Sequence, residues 1–155
     1  MAKYYGKNIV GSLCDAQTIN TTEDSSMVYI GGRTGGDLWI DVYANTAWTI
    51  DSGEELTIQL QGFTSDAGTS ATSPFSTGNA GGQCISGGGT SEPDVLYYIF
   101  YNTSAQGAAG FAAGDLVTQC AIPEDLFHAL AYDYVQLAFT CDTSEVCDAF
   151  VYAKV

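Results

Sequence analysis

Positive charge is what this sequence lacks most. Its 155 residues include four Lys or Arg against 18 Asp or Glu, a formal net charge of −14. The basic residues are Lys3, Lys7, Arg33 and Lys154, so residues 34–153 carry 15 carboxylates and no permanent cation. Such a surface repels phosphate backbones and anionic headgroups, which excludes nucleic acid and an anionic membrane surface as partners. Histidine occurs once, at His128, so any imidazole chemistry has a single candidate. No CxxC, HxxxH or D-x-D-x-D-G spacing is present, and neither a zinc site nor a calcium loop is expected. No cofactor is expected. No apolar run approaches a membrane span. The start, "MAKYYGKNIV", lacks the apolar stretch and small-residue cleavage site of a signal peptide, which points to synthesis in a reducing cytosol.

What is present is apolar alternation with period two. In "DLWIDVYA" (37–44), Leu38, Ile40 and Val42 share one face and Trp39, Asp41 and Tyr43 the other. "EELTIQLQ" (54–61) sets Leu56, Ile58 and Leu60 against Thr57, Gln59 and Gln61, and "YDYVQLAF" (132–139) sets Val135, Leu137 and Phe139 against Tyr134, Gln136 and Ala138. "DAFVYAKV" (148–155) reads as a closing strand, with shorter candidates at 27–30 and 115–122. β-Branched and aromatic residues fill these runs, and Gly, Asn, Asp and Ser separate them. Only "PEDLFHAL" (123–130) has a helical opening, Pro followed by two acids. A chain of this size suits one domain. The expectation is a single all-β domain over 1–155, an antiparallel β-sandwich, jelly-roll-like, of about eight strands with at most one short helix.

Two segments depart from alternation. "VLYYIFY" (95–101) is apolar or aromatic on both faces, so its outer face wants a cover from a loop or from another protein. Residues 64–94 contain eighteen Gly, Ser or Thr in thirty-one positions, which reads as one long loop, functional or disordered.

The candidate chemistry is sparse. Cys84 lies among glycines in "GGQCISGGG" (81–89), a possible nucleophile loop, but His128 is its only available base and the neighbouring carboxylates should raise the thiol pKa. Catalysis is not expected there. Five cysteines, Cys14, Cys84, Cys120, Cys141 and Cys147, leave at least one unpaired within the chain. "CDTSEVC" (141–147) reads as a hairpin loop whose Cys141 and Cys147 face each other across its base, either as free thiols or as a disulfide. Glu54 and Glu55, adjacent on a strand, point to opposite faces and cannot pair as acid and base. "GGRTGGD" (31–37) has no following helix and makes a weak phosphate cradle. Tyrosines and tryptophans are more numerous than one small core requires, and these residues are enriched at protein interfaces.

In order along the chain, "LCDAQTI" (13–19), "MVYIGG" (27–32), "WIDVYANTAWTIDSGEELTIQLQ" (39–61), "AGDLVTQCAIPEDLF" (113–127) and "YVQLAFTCDTSEVCDAFVYAKV" (134–155) resemble the small capsid cement, or decoration, proteins of tailed bacteriophages. The similar features are an early Asp-Ala-Gln, a glycine closing a first strand, a strand ending in Leu-Gln, an apolar-Ile-Pro step and a paired final hairpin. The resemblance implies a non-enzymatic jelly-roll protein on the outside of the virion, made in the host bacterial cytoplasm. It would bind the major capsid protein as a homodimer or homotrimer and stabilise the DNA-filled head. Within that expectation an N-terminal arm (1–12) supplies Lys3, Tyr4, Tyr5 and Lys7, and the two-faced strand supplies Tyr97, Tyr98 and Tyr101, as interface residues. The alternative is a carbohydrate-binding β-sandwich of a phage or surface adhesin, with Trp39, Trp48 or exposed tyrosines stacking on sugars.

Overall fold

The structure, a computed structural model, describes residues 8–30, 38–63, 95–102, 108–122 and 134–153. These form nine strands and no helix: β1 (Asn8–Asp24), β2 (Val28–Tyr29), β3 (Leu38–Ala44), β4 (Trp48–Ile50), β5 (Leu56–Phe63), β6 (Val95–Asn102), β7 (Ala109–Phe111), β8 (Leu116–Ala121) and β9 (Tyr134–Ala153). Every pairing is antiparallel. The fold is the expected all-β, jelly-roll-like sandwich. The helix anticipated at 123–130 and the loop at 64–94 lie outside the described residues.

The spine is β9. Along one edge runs β1, then β2; along the other lie β5, opposite residues 134–141, and β3, opposite residues 147–153. β6 extends the β5 side and β8 the β3 side, which makes two limbs joined by the bent β1–β9 ribbon. The limbs fold over each other. Leu13 O accepts the Ser26 amide at 2.9 Å, and a Cβ on Gly11 would meet Val28 Cγ1 at 2.7 Å, so glycine is what lets β1 approach β2 across the sandwich. At the far edges Thr118 Oγ1 of β8 donates to Ile99 O of β6 at 2.7 Å, nearly closing the sheet into a flattened barrel. One core runs through both limbs: Leu13, Ile19, Ile40, Val42, Leu56, Ile58, Leu60, Leu137, Phe139 and Val151 are all buried. Each such side chain removed from water contributes about 1.5–3 kcal/mol.

The final segment corrects an expectation. "CDTSEVC" is not a hairpin loop, and 134–153 is one strand of 20 residues. Cys141 and Cys147 are buried and not disulfide-bonded, and they lie six positions apart on it, about 20 Å at the usual rise per strand residue, whereas a disulfide needs Cα atoms within about 7 Å. The bridge between them therefore does not form in this fold. The other correction is β1. Residues 8–12, assigned to an arm, are paired from Asn8↔Ala153 onward, and only residues 1–7 lie outside the described chain. The ladder of β1 is broken by register shifts at Ile9/Gly11, Ser12/Cys14, Cys14/Gln17 and Asn20/Thr21. Each shift changes which parity faces the core, so Leu13 and Cys14, adjacent in sequence, are both buried.

Candidate functional site

Carboxylates dominate the ionisable side chains of the sequence, 18 against four Lys or Arg. All four Lys and Arg and the one His lie outside the described residues, so the described framework carries acids and no cation. Five of those acids accept backbone N–H groups. Asp148 Oδ1 takes the Ala16 amide at 2.7 Å and its Oδ2 takes Asn45 Nδ2 at 2.7 Å. Asp142 Oδ2 takes the Glu55 amide at 2.8 Å. Glu145 Oε1 accepts from Thr143 Oγ1 at 2.8 Å and from the Thr49 amide at 3.3 Å. These three lie on β9 where the limbs meet, and they hold the bulge of β1 and the connection from β3 to β5. Trp48, 1% exposed, packs edge-to-face on Phe111 and donates Nε1–H to Val146 O at 2.9 Å in the same corner.

The other two acids close turns of one design. Glu54 accepts the Asp51 amide at 2.7 Å while its own amide bonds Asp51 O, and Asp115 treats Ala112 likewise. In each turn the third residue is a glycine at positive φ, Gly53 at 98° and Gly114 at 91°, where a side chain would be strained. Glu54 and Glu55 thus precede β5 instead of lying on it, and Glu54 is a turn residue.

The thiols are similarly sealed. Cys14, Cys141 and Cys147 are buried and Cys120 is half-buried. Burial, with Glu145 and Asp142 adding to it, pushes the Cys141 thiol up, against the lowering effect of its contact with Thr143. A thiol so placed is a core residue, not a nucleophile. Cys84 and His128 lie outside the described residues.

The two outer faces differ. On the β3–β9 limb the outward residues form a second buried layer. Phe150 stacks on Tyr43 (centroids 5.8 Å apart) and tilts against Tyr152, while Asp41, 0% exposed, accepts from Tyr43 Oη and from Gln119 Nε2. On the β5–β9 limb the outward row is Thr57, Gln59 and Gln61 of β5 beside Thr140, Ala138 and Gln136 of β9. Tyr134 continues the row beside Tyr29 of β2, with centroids 5.2 Å apart and planes inclined by 59°. Tyr29 is 58% exposed, the most open large apolar side chain described, whereas Gln61 is 2% exposed. Gln136 Nε2 is tied to Ser25 O at 2.8 Å. Gln61 Oε1 is buried without a hydrogen-bond partner. Leaving such an acceptor unmet costs about 1–3 kcal/mol, so this atom calls for an explanation.

Of the residues expected at an interface, Lys3, Tyr4, Tyr5 and Lys7 lie outside the described residues. Tyr97 and Tyr98 lie on β6 opposite Leu60 and Gln59, and for these two the strand pairing is what is described. Tyr101 pairs with Thr57 and is half-buried. Of the two tryptophans considered for sugar stacking, Trp39 is half-buried and Trp48 is sealed in the core, which removes Trp48 as a platform. Tyr29 and Gln61 were not singled out from sequence. Alternation puts Gln59 and Gln61 outward, but nothing local places them beside Gln136 or brings Tyr29 to Tyr134. No family model, curated protein or solved structure matches the chain.

Proposed function

We propose that this protein is a capsid cement protein, a non-enzymatic structural component bound to the outside of the major capsid protein lattice of a tailed bacteriophage. The observation that carries the reading is the use made of the reactive side chains. Asp142, Glu145 and Asp148 staple the corner between the limbs, Glu54 and Asp115 close turns, and the thiols of β1 and β9 are core. A framework in which five acids bond the backbone at its corner and turns suits a load-bearing part. The ordered resemblance adds support, since its Asp-Ala-Gln falls in β1 and its Leu-Val-Thr-Gln-Cys-Ala falls in β8. It departs at the end, where one long strand replaces the paired final hairpin.

In this reading the protein associates as a dimer or trimer. Residues 1–7, with Lys3 and Lys7 on an otherwise acidic chain, dock on an acidic site of the capsid subunit. Many copies on one shell add modest contacts into a large effect. The test is the heat release of DNA from filled heads assembled with and without the protein. Heads lacking it should release DNA at a lower temperature; an unchanged release temperature overturns the reading. Removing residues 1–7, which leaves β1 intact, should weaken head binding without lowering the melting temperature of the free protein.

A further inference from the structure

We propose that the end of the β1–β9–β3 sheet marked by Asn8, Ala153 and Leu38 grips an acidic surface of the capsid subunit, and that the acidic corner at the other end of the sandwich faces away from the shell. The proposal rests on the cement reading and gives it an orientation. Asn8 stands opposite Ala153, and Leu38 stands opposite Ala153 on its other side. Lys7 is one peptide bond before Asn8, and Lys154 is one after Ala153. Paired Cα atoms lie about 5.5 Å apart and successive ones about 3.8 Å, so the two lysine Cα atoms are within about 13 Å of each other. Nearly the whole sequence lies between them. Asp37, one residue before Leu38, completes the row, which holds two cations to one acid. Next to this row is Ile9, opposite Tyr152 and 38% exposed, an apolar side chain left open beside the charges.

The opposite end is built from acids. β3 runs from Leu38 to Ala44, about 20 Å at the usual rise. There the Ala44 amide donates to Asp115 O and the Gly114 amide to Ala44 O, which seats the Asp115 turn at that far end. The Asp142 amide donates to Glu55 O, Glu145 accepts the Thr49 amide and Glu54 the Asp51 amide, so these acids gather at the same corner. Residues 34–153 contain no Lys or Arg, so the corner has no cation in its own sequence. About 20 Å is more than two Debye lengths of about 8 Å at physiological salt, so each end meets a partner as a separate field. A surface bearing carboxylates is repelled by the corner and attracted to the lysine row, where Ile9 adds an apolar contact. A basic partner would seat on the corner instead.

The experiment measures binding of the purified protein to filled heads over a range of salt concentrations. Affinity should fall as salt rises. Lys154→Glu, a change that docking through residues 1–7 alone would not feel, should weaken binding about tenfold or more and flatten the salt dependence, as should Lys7→Glu. Ile9→Ala should weaken it about threefold or more. Asp51→Lys, at the corner, should leave affinity within about twofold of the unsubstituted protein. Melting temperatures of the free variants confirm that each one folds. Undiminished binding by Lys154→Glu or by Ile9→Ala overturns the proposal, and so does an Asp51→Lys effect larger than that of Lys154→Glu. If removal of residues 1–7 abolishes binding while Lys154→Glu binds normally, the cement reading and its arm stand and this surface is removed. Heads to which no protein binds remove both.

Discussion

The two limbs share the β1–β9 ribbon and one core, yet their outward faces are covered by different kinds of residue. Beyond β3, the outward residues of β9 (Asp148, Phe150 and Tyr152) are as buried as the inward ones (Cys147, Ala149 and Val151). Beyond β5, half-buried Gln136, Thr140 and Gln59 are interleaved with buried Ala138, Thr57 and Gln61, and the exposed Tyr29 lies at the end of the row. One limb carries an outer layer of packed aromatic rings around the hydrogen-bonded Asp41. The other carries a row of Gln and Thr beside Tyr134 and Tyr29, with the Gln61 Oε1 acceptor buried and unmet within it. Stacked rings over a sheet add packing, whereas a buried acceptor left unmet subtracts from stability.

That contrast can be broken by substitution. The largest effect should come at the corner that joins the limbs. Trp48→Ala removes a buried indole and its bond to Val146 O, and urea unfolding should show a loss of about 3–5 kcal/mol. Next, the faces should respond unequally to outward truncations: Phe150→Ala should cost about 3–5 kcal/mol, and Thr140→Ala no more than about 0.5 kcal/mol. Similar costs at both positions would abolish the distinction between the limbs. Gly11→Ala, which drives a methyl into Val28 across the sandwich, should cost about 1–3 kcal/mol.

The smallest effect concerns pH. The Asp24 carboxyl is raised by burial and by Glu23, so the fold binds its proton more tightly than the unfolded chain does. Its stabilising contribution is present at acid pH below the unfolded value and is lost as pH rises through the folded one. Asp24→Asn should therefore be slightly stabilising at neutral pH, within about 0.5 kcal/mol for so exposed a group, and the gain should vanish toward pH 3. A gain that instead grows on acidification would show that the proton is not bound more tightly in the fold.

The strands that could be read from sequence are those whose parity is unbroken. β3 and β5 alternate cleanly, and both limits fall within two residues of the expected ones. β1 was missed because four register shifts scramble its apolar spacing. Its residues Ala16 and Thr21, at φ 49° and 50°, sit at or beside such shifts. The join within β9 was misread for a related reason. "DTSE" is a turn-like sequence by local chemistry, but its acids and hydroxyls bond to the connection from β3 to β5 and to one another, and the strand continues through them. The candidate face was half legible: outward polarity of Gln59, Gln61, Tyr134 and Gln136 follows from alternation, while their convergence depends on which strands pair.

Alone, the sequence determined the class of structure and the sign of its surface. Period-two patterning is a local property that survives any arrangement of strands, and charge is a sum over residues that no fold alters. Strand order, the union of two apparent strands into one spine, the sealing of Trp48 and the isolation of Gln61 Oε1 were decided only in three dimensions. Each depends on partners far apart in the chain, such as Gln61 beside Gln136 and Trp48 beside Val146, and no local pattern encodes those contacts.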